Sequence, residues 1–387
     1  MKTIQLAYKL PDEDIDKLKG DRLNESHYDI LIEDAVRVLK PDGSLLCQIV
    51  RGAVNDMASC QILSDKIKGL PDNRGTSTGK GLLTGQGSNR KRPVKSGENS
   101  NTIRVDKSAF RVRLETPIQT SKNRGSSTGN QNKNTRILQN GSVSKTTQQI
   151  DPETGKSLEV NSGIIGYFDR YPRFPYARET SFLIKYRKEW QLLQPFISKV
   201  NDIFKEYAGD RYAIQKEIAE RCAKEWIIGD TAFSTITVNK SYRTACHKDA
   251  GDLVEGFGVM TYFQTGRLQG GYLVLPAYRV ALKFQHGDII LFDVHEWHGN
   301  TEIKPLSADA KRITCVFYLR DYLLRCGDAK YEIQRAKKVR QLAKLYDDEE
   351  IQKAEQIKTE VLKKYGISYP YPKQKTPKKQ AVRTAKK

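Results

Sequence analysis

The chain lacks any run of about 18 apolar residues, so no stretch of it reads as a membrane-spanning helix. Its first residues, MKTIQLAYKLPDEDID, hold too short an apolar stretch for a signal peptide and turn acidic at once. Cysteine is sparse and scattered: Cys47, Cys60, Cys222, Cys246, Cys315 and Cys326 form no CxxC pair. That spacing argues against a zinc ribbon or a disulfide framework and for buried thiols in a reducing compartment. The expectation is a soluble, intracellular protein without a membrane partner. Acid is also in short supply, with 46 Asp+Glu against 66 Lys+Arg and a net charge of +20 over 387 residues. Such an excess points to a polyanionic partner, nucleic acid ahead of a membrane surface. The plainer alternative is that basic tails keep the protein soluble.

What is present falls into five stretches. Residues 1–72 read as a strand/helix segment packing on the core. Within it, DILIEDAVRVLKPDGSLLCQIV is apolar on both sides of Pro41-Asp42-Gly43, which predicts two strands or a helix leading into a strand. The phrase VLKPDGSLL echoes a strand of Rossmann methyltransferases, but no Gly-rich strand–turn–helix loop precedes it. Residues 73–148 form a basic Gly/Ser/Asn-rich insert with fifteen Lys+Arg, three acids and one aromatic, Phe110. That composition buries too little apolar area to offset chain entropy, so the insert is expected to be flexible. Asn73-Arg74-Gly75 recurs within it as Asn123-Arg124-Gly125. Either Arg74 and Arg124 sit on Gly-hinged loops that follow a phosphate backbone, or the repeat is a local duplication in a linker.

Order is expected to return over residues 149–325. Ile164–Phe168 reads as a strand, and apolar residues at spacings of three and four predict helices near Tyr186–Tyr207 and Tyr212–Ile227. Trp190, Phe196, Phe204 and Trp226 are core candidates. From Thr231 to Tyr322 come short runs with Gly-containing turns: FSTITVN, GFGVMTYF, GGYLVLP, GDIILFDV and RITCVFYL. They predict a β-sandwich or barrel-like sheet pair. A C-terminal helix is expected over 326–366 and a basic disordered tail over 367–387. The insert and the last fifteen residues carry +19 of the +20.

Four of the five histidines, His247, His286, His295 and His298, fall within about fifty residues of one another. Cys246-His247-Lys248-Asp249 is a His-x-Asp just after FSTITVN, and on a strand or its end residues i and i+2 point the same way. A third imidazole arrives in Phe292-Asp293-Val294-His295-Glu296-Trp297-His298-Gly299-Asn300. Fourteen residues after His298, Arg312 opens RITCVFYL. Two imidazoles and one carboxylate are the facial triad of non-heme Fe(II) oxygenases. Arg312, deep in the sheet, would hold the distal carboxylate of 2-oxoglutarate by a two-bonded fork that Lys cannot match. A lone His-x-Asp arises often by chance; this ordered set is much more specific. The alternative is a group of structural histidines.

The sequence here resembles the TET/JBP family of Fe(II)- and 2-oxoglutarate-dependent oxygenases. The likeness is carried by Ser162–Arg170, Ala177–Phe182, Thr237-Val238-Asn239-Lys240, Gly270–Pro276, the HGNT at His298–Thr301 and the Arg312 strand. It lies nearest the base J (thymine dioxygenase) and phage branch, since the Cys-rich zinc module of the animal enzymes is missing. The resemblance implies an α+β fold: a double-stranded β-helix (jelly-roll, cupin-like) core with flanking helices, the basic insert and the basic tail added to it. It implies iron ligands His247, Asp249 and His298, and Arg312 as the 2-oxoglutarate anchor. His295 is the rival third ligand, disfavoured because HGNT occupies the family position and His295 is expected within the preceding strand. His286 is expected at the surface or behind the ligands. Asn239 and Arg178 are candidates to line a substrate pocket, with a structural role as the alternative for each.

The implied cofactors are Fe(2+), 2-oxoglutarate and O2. The implied reaction hydroxylates the 5-methyl group of thymine or 5-methylcytosine in DNA, by a monomer. Alternatives are a 2-oxoglutarate oxygenase acting on an N-methylated base or a protein, and a catalytically silent DNA-binding module.

Overall fold

The computed structural model describes residues 2–67, 103–105, 112–114, 161–170, 174–249, 251–338 and 348–367. Its strands are β1 (Lys2–Gln5), β2 (Ile30–Ile32), β3 (Val36–Leu39), β4 (Leu45–Val50), β5 (Ile103–Val105), β6 (Val112–Leu114), β7 (Asn161–Arg170) and β8 (Phe174–Glu179). They continue with β9 (Thr235–Lys240), β10 (Gly258–Thr265), β11 (Leu268–Gly270), β12 (Leu273–Leu275), β13 (Val280–Leu282), β14 (Asp288–Phe292), β15 (Gly299–Asn300), β16 (Ile303–Pro305) and β17 (Lys311–Tyr318). The helices are α1 (Asp12–Ile15), α2 (Met57–Lys66), α3 (Ser181–Lys185), α4 (Arg187–Leu192), α5 (Gln194–Tyr207), α6 (Gly209–Glu220), α7 (Ala329–Lys338) and α8 (Asp348–Lys364).

Nine strands make one large sheet in the order β1-β3-β4-β14-β10-β17-β9-β7-β8, and four make a smaller one, β15-β12-β13-β2. The alternation of side chains along each strand explains the layering. In β10, β14 and β17, Val259, Phe263, Ile289, Leu291, Ile313, Cys315 and Phe317 turn to a helical layer that contributes Phe182, Trp190, Phe196, Val200 and Phe204. Their neighbours Met260, Tyr262, Ile290 and Phe292 turn the other way, onto Leu273, Val274, Leu275, Val280 and Leu282 of the small sheet. The nearly continuous apolar run of GDIILFDV therefore marks a strand buried on both faces. Helix α5 buries Phe196, Ile197, Val200, Ile203 and Phe204, the spacing of a single core-facing stripe. Trp190, Phe196, Phe204 and Trp226 are all buried, as expected.

Residues 2–67 contribute strands to both sheets. The Pro41-Asp42-Gly43 motif turns β3 back on β4 as an antiparallel hairpin. Gly43 has φ +82, a left-handed conformation that glycine adopts without a Cβ penalty. Strand β4 pairs with β14, and β2 pairs in parallel with β13, so both sheets draw on chain more than 200 residues distant in sequence. VLKPDGSLL is thus a hairpin, not part of a nucleotide-binding crossover. Of the expected C-terminal helix, α7 and α8 are described, and α8 seats Ala354, Val361 and Leu362 against Ile214 and Ile218 of α6. Of the expected insert, β5 and β6 are described, paired antiparallel; the rest of it, and the tail beyond Ile367, lie outside the described residues. Among the described residues no helix is long and apolar enough to cross a membrane.

All six cysteines are buried and unbridged. Burial pushes the thiols of Cys47, Cys222 and Cys246 up to about 12, so little reactive thiolate forms in the folded chain at neutral pH. Ellman's reagent is expected to titrate essentially none of the six rapidly in the native state and all of them in guanidinium. A shortfall after denaturation would reveal a disulfide that contradicts this structure.

Candidate metal centre

Between the two sheets lies a cavity of about 270 Å3 lined by residues of both. Its polar wall follows from strand alternation. Antiparallel pairing of β9 with β17 sets Asn239 opposite Thr314 and Thr237 opposite Val316. Thr237 and Asn239 thus share a face with Arg312, Thr314, Val316 and Tyr318, and all of these line the cavity. The Ser162 hydroxyl donates to Asn239 Oδ1 at 2.6 Å, and the Thr237 and Tyr318 hydroxyls lie 3.2 Å apart. Leu273, Met260 and Phe292 supply the apolar lining.

His247, Asp249 and His298 meet at this cavity, with one potential ligand atom from each lying within 4.8 Å of the others. His247 and His298 are partners in an isolated antiparallel bridge. Each accepts the other's main-chain N–H at 2.9 Å, and the ring centroids are 4.4 Å apart. His247 Nδ1 lies 2.7 Å from the Ala245 carbonyl, and His298 Nδ1 lies 2.9 Å from the Glu296 carbonyl. A carbonyl only accepts, so each Nδ1 carries the proton and each Nε2 keeps its lone pair. Those free nitrogens face one carboxylate: His247 Nε2 is 3.5 Å from Asp249 Oδ1, and His298 Nε2 is 3.9 Å from Asp249 Oδ2. Burial, with His247 beside it, pulls the His298 imidazole down to about 4, against the opposing pull of Asp249. A neutral, buried imidazole is the form a metal needs. The donor set of two nitrogens and one oxygen suits a divalent transition ion with open positions.

Arg312 is 3 % exposed. Its Nη1 donates to the Tyr242 carbonyl at 3.3 Å, its guanidinium stands 5.6 Å from the Tyr262 ring centre, and Nε has no hydrogen-bond partner. Among the described residues no carboxylate pairs with it. A buried cation left this way is costly, and burial accordingly lowers its pKa, with Tyr262 opposing. A carboxylate ligand entering the cavity would satisfy it.

The other candidates separate clearly. His295 is not on the preceding strand, because β14 ends at Phe292 and the chain turns. His295 does not line the cavity, and its ring places Nε2 3.2 Å from the Asp252 carbonyl and Nδ1 3.5 Å from Asp293 Oδ1. His286 is exposed and contacts the Gln264 carbonyl. Asn239 lines the cavity, but Arg178 does not; it sits in β8 with its guanidinium 4.2 Å from the Phe168 ring centre, on the far side of β7. Arg74 and Arg124 lie outside the described residues. The cavity is also lined by Ser162, Thr237, Thr314, Tyr318 and the Thr244–Asn300 side-chain pair, bonded at 2.6 Å, none of them a site candidate in the sequence. The period-two pattern running from Arg312 through Thr314 to Tyr318 was the available signal.

Residues 163–321 match the sequence family Tet_JBP, described as the oxygenase domain of the 2OGFeDO superfamily. Thymine dioxygenase JBP1 of Trypanosoma brucei brucei is 38% identical over 168 residues, 42% of this chain and 19% of that protein. Thymine dioxygenase JBP1 of Leishmania braziliensis is 35% identical over 167 residues, 42% of this chain and 20% of that protein. The bifunctional helicase and thymine dioxygenase JBP2 of Trypanosoma brucei brucei (strain 927/4 GUTat10.1) is 34% identical over 164 residues, 41% of this chain and 15% of that protein. The chain thus spans about a fifth of the length of the curated relatives it matches. Among solved structures, NgTET1 in complex with 5mC DNA aligns over 79% of this chain and 81% of that one, at 12% identity and a TM-score of 0.41. That score is too low to bear on fold or function. The family match bears out the resemblance read from the sequence motifs.

The geometry separates the two rival histidines by metal content. After anaerobic loading with Fe(II) and desalting, the His295→Ala variant is expected to retain about one iron per chain and His298→Ala to lose most of it. Retention by His298→Ala with loss by His295→Ala would reverse the assignment.

Proposed function

We propose that this chain, whose residues 163–321 match the Tet_JBP oxygenase family, is an Fe(II)- and 2-oxoglutarate-dependent dioxygenase that hydroxylates the 5-methyl group of a pyrimidine in DNA. The observation that carries the reading is one cavity holding both a two-histidine, one-carboxylate cluster and a buried Arg312 with no carboxylate partner among the described residues. His247, Asp249 and His298 would hold the iron and Arg312 the distal carboxylate of 2-oxoglutarate, by two parallel hydrogen bonds. The two facing sheets, with the cavity between them, are read as a double-stranded β-helix.

Bound iron with its co-substrates O2 and 2-oxoglutarate supplies the power to convert a methyl C–H into C–OH, as 2-oxoglutarate leaves as succinate and carbon dioxide. The chain's own residues do the rest. The Ala245 and Glu296 carbonyls fix both imidazole tautomers, so no proton need leave Nε2 on metal binding. Arg312 orients the co-substrate from the cavity wall, and a guanidinium stays charged there even when buried. Leu273, Met260, Val316 and Phe292 keep the walls dry, which strengthens every polar contact inside. Asn239, its carbonyl oxygen taken by Ser162, is left with its amide N–H groups to orient a ligand.

A methyl group in a duplex cannot reach such a cavity, so the base must flip out or come from single-stranded DNA, at a cost of a few kcal/mol for unstacking. Phosphate contacts from the basic insert, Arg74 and Arg124 among them, and from the basic tail would offset it, in a salt-dependent way. Thymine and 5-methylcytosine both present the required methyl.

Incubating the chain with Fe(II), 2-oxoglutarate and, side by side, thymine-containing and 5-methylcytosine-containing DNA is expected to give 5-hydroxymethyl nucleosides detectable by mass spectrometry. His247→Ala should abolish them. Product from neither DNA, or succinate formation unchanged in His247→Ala, would overturn the proposal.

A further inference from the structure

Both histidine-bearing segments are clasped by the first forty residues of the chain, which lie outside the stretch 163–321. On one side, Gly20 N–H donates to the Cys246 carbonyl and Cys246 N–H to the Asp21 carbonyl, each at 2.8 Å, bracketing the residue before His247. On the other side, the indole N–H of Trp297 donates to Asp16 Oδ1 at 2.8 Å. Lys40 Nζ reaches Asp293 Oδ2 at 2.8 Å and Glu296 Oε1 at 2.9 Å. Lys9 Nζ lies 3.0 Å from Glu296 Oε2, and the Tyr278 hydroxyl donates to Glu296 Oε1 at 2.8 Å. The Lys40 side chain is 15 % exposed and that of Glu296 8 %, so these charges are largely shielded from water.

The network bears on the metal centre through the main chain. Asp293 Oδ1 accepts the N–H of His295 at 3.1 Å, and the N–H of Glu296 donates to the Asp293 carbonyl at 3.2 Å. The carbonyl of Glu296 is the acceptor that fixes the His298 ring. The turn that aims His298 is therefore held by two nearly buried carboxylates, and Lys40 bridges both. Without that ammonium the two anions face each other in a poorly solvated site, where like charges repel most strongly.

We propose that Lys40, backed by Lys9, is a positioning residue of the metal centre: it neutralises Asp293 and Glu296, holds the 293–296 turn, and so fixes the orientation of His298. The N-terminal segment is then a working part of the site. This rests on the reading that His247, Asp249 and His298 bind Fe(II). Partners behind metal ligands are typically worth 10–100-fold in metal affinity, and that is the scale expected here.

The test is an anaerobic Fe(II) titration of the whole chain by equilibrium dialysis. Lys40→Met is expected to bind iron about 10–100-fold more weakly, and Lys40→Arg, which keeps the charge, to recover most of the loss. Arg335→Met is the control: it removes a different buried cation, paired with Glu332 at 3.4 Å and with Glu350, and none of these three lines the cavity. Its iron affinity should match the parent, whatever its thermal stability. Parent-like affinity in folded Lys40→Met, or an equal loss in Arg335→Met, overturns the inference. Should Lys40→Met not fold, Glu296→Gln is read instead: weaker iron binding supports the inference and parent-like binding overturns it. A parent chain that binds no iron fails at the earlier step, overturning the metal-centre reading itself.

Discussion

Two main-chain hydrogen bonds of 2.9 Å, exchanged between His247 and His298, fix the geometry on which the rest of the cavity depends. Residues that trade both bonds across an antiparallel bridge present their side chains on the same face at close range. Each imidazole then spends Nδ1 on the carbonyl two residues earlier in its own segment, Ala245 for one and Glu296 for the other. Both Nε2 atoms are left facing Asp249, whose N–H is in turn held by the Val294 carbonyl at 3.1 Å. The three side chains are thus placed by backbone pairing before any ligand arrives, the kind of preorganisation that binding sites require.

The large sheet supports this arrangement by dividing its side chains strictly between two faces. One set of alternate residues packs the helices and supplies much of the apolar burial. The other set meets the small sheet, where a mostly polar row from Arg312 to Tyr318 takes the place of part of the second apolar core and forms the cavity wall. That substitution is the structural cost of having a site at all, and the buried Arg312, with Nε unpartnered, is where the cost concentrates.

Legibility in the sequence followed the range of the interactions. The His-x-Asp, the later histidine and the arginine opening the last strand were readable because strand alternation is local and the residue types are restrictive. Choosing His298 over His295 needed the family motif, since only the structure shows β14 ending at Phe292 and His295 turning to Asp252. The N-terminal strands were harder: their apolar pattern around Gly43 left open two strands or a helix leading into a strand, and pairing of β4 with β14 joins segments far apart in the chain. Lys40 and Asp293 are 253 residues apart, and no periodicity connects them. Arg178 belonged to a motif block shared with the family, yet its guanidinium lies against Phe168, away from the cavity. Residence in a shared motif does not by itself place a side chain at the site.

The proposed function requires the metal and the co-substrate to occupy the same cavity, with Arg312 as the anchor. Calorimetric titration of 2-oxoglutarate into the anaerobic chain, with and without Fe(II), measures this directly. The expected result is one 2-oxoglutarate per chain that binds well only when iron is present, and far more weakly to Arg312→Lys, which cannot form the two-bonded fork. Binding of equal strength without metal, or undiminished in Arg312→Lys, would contradict it.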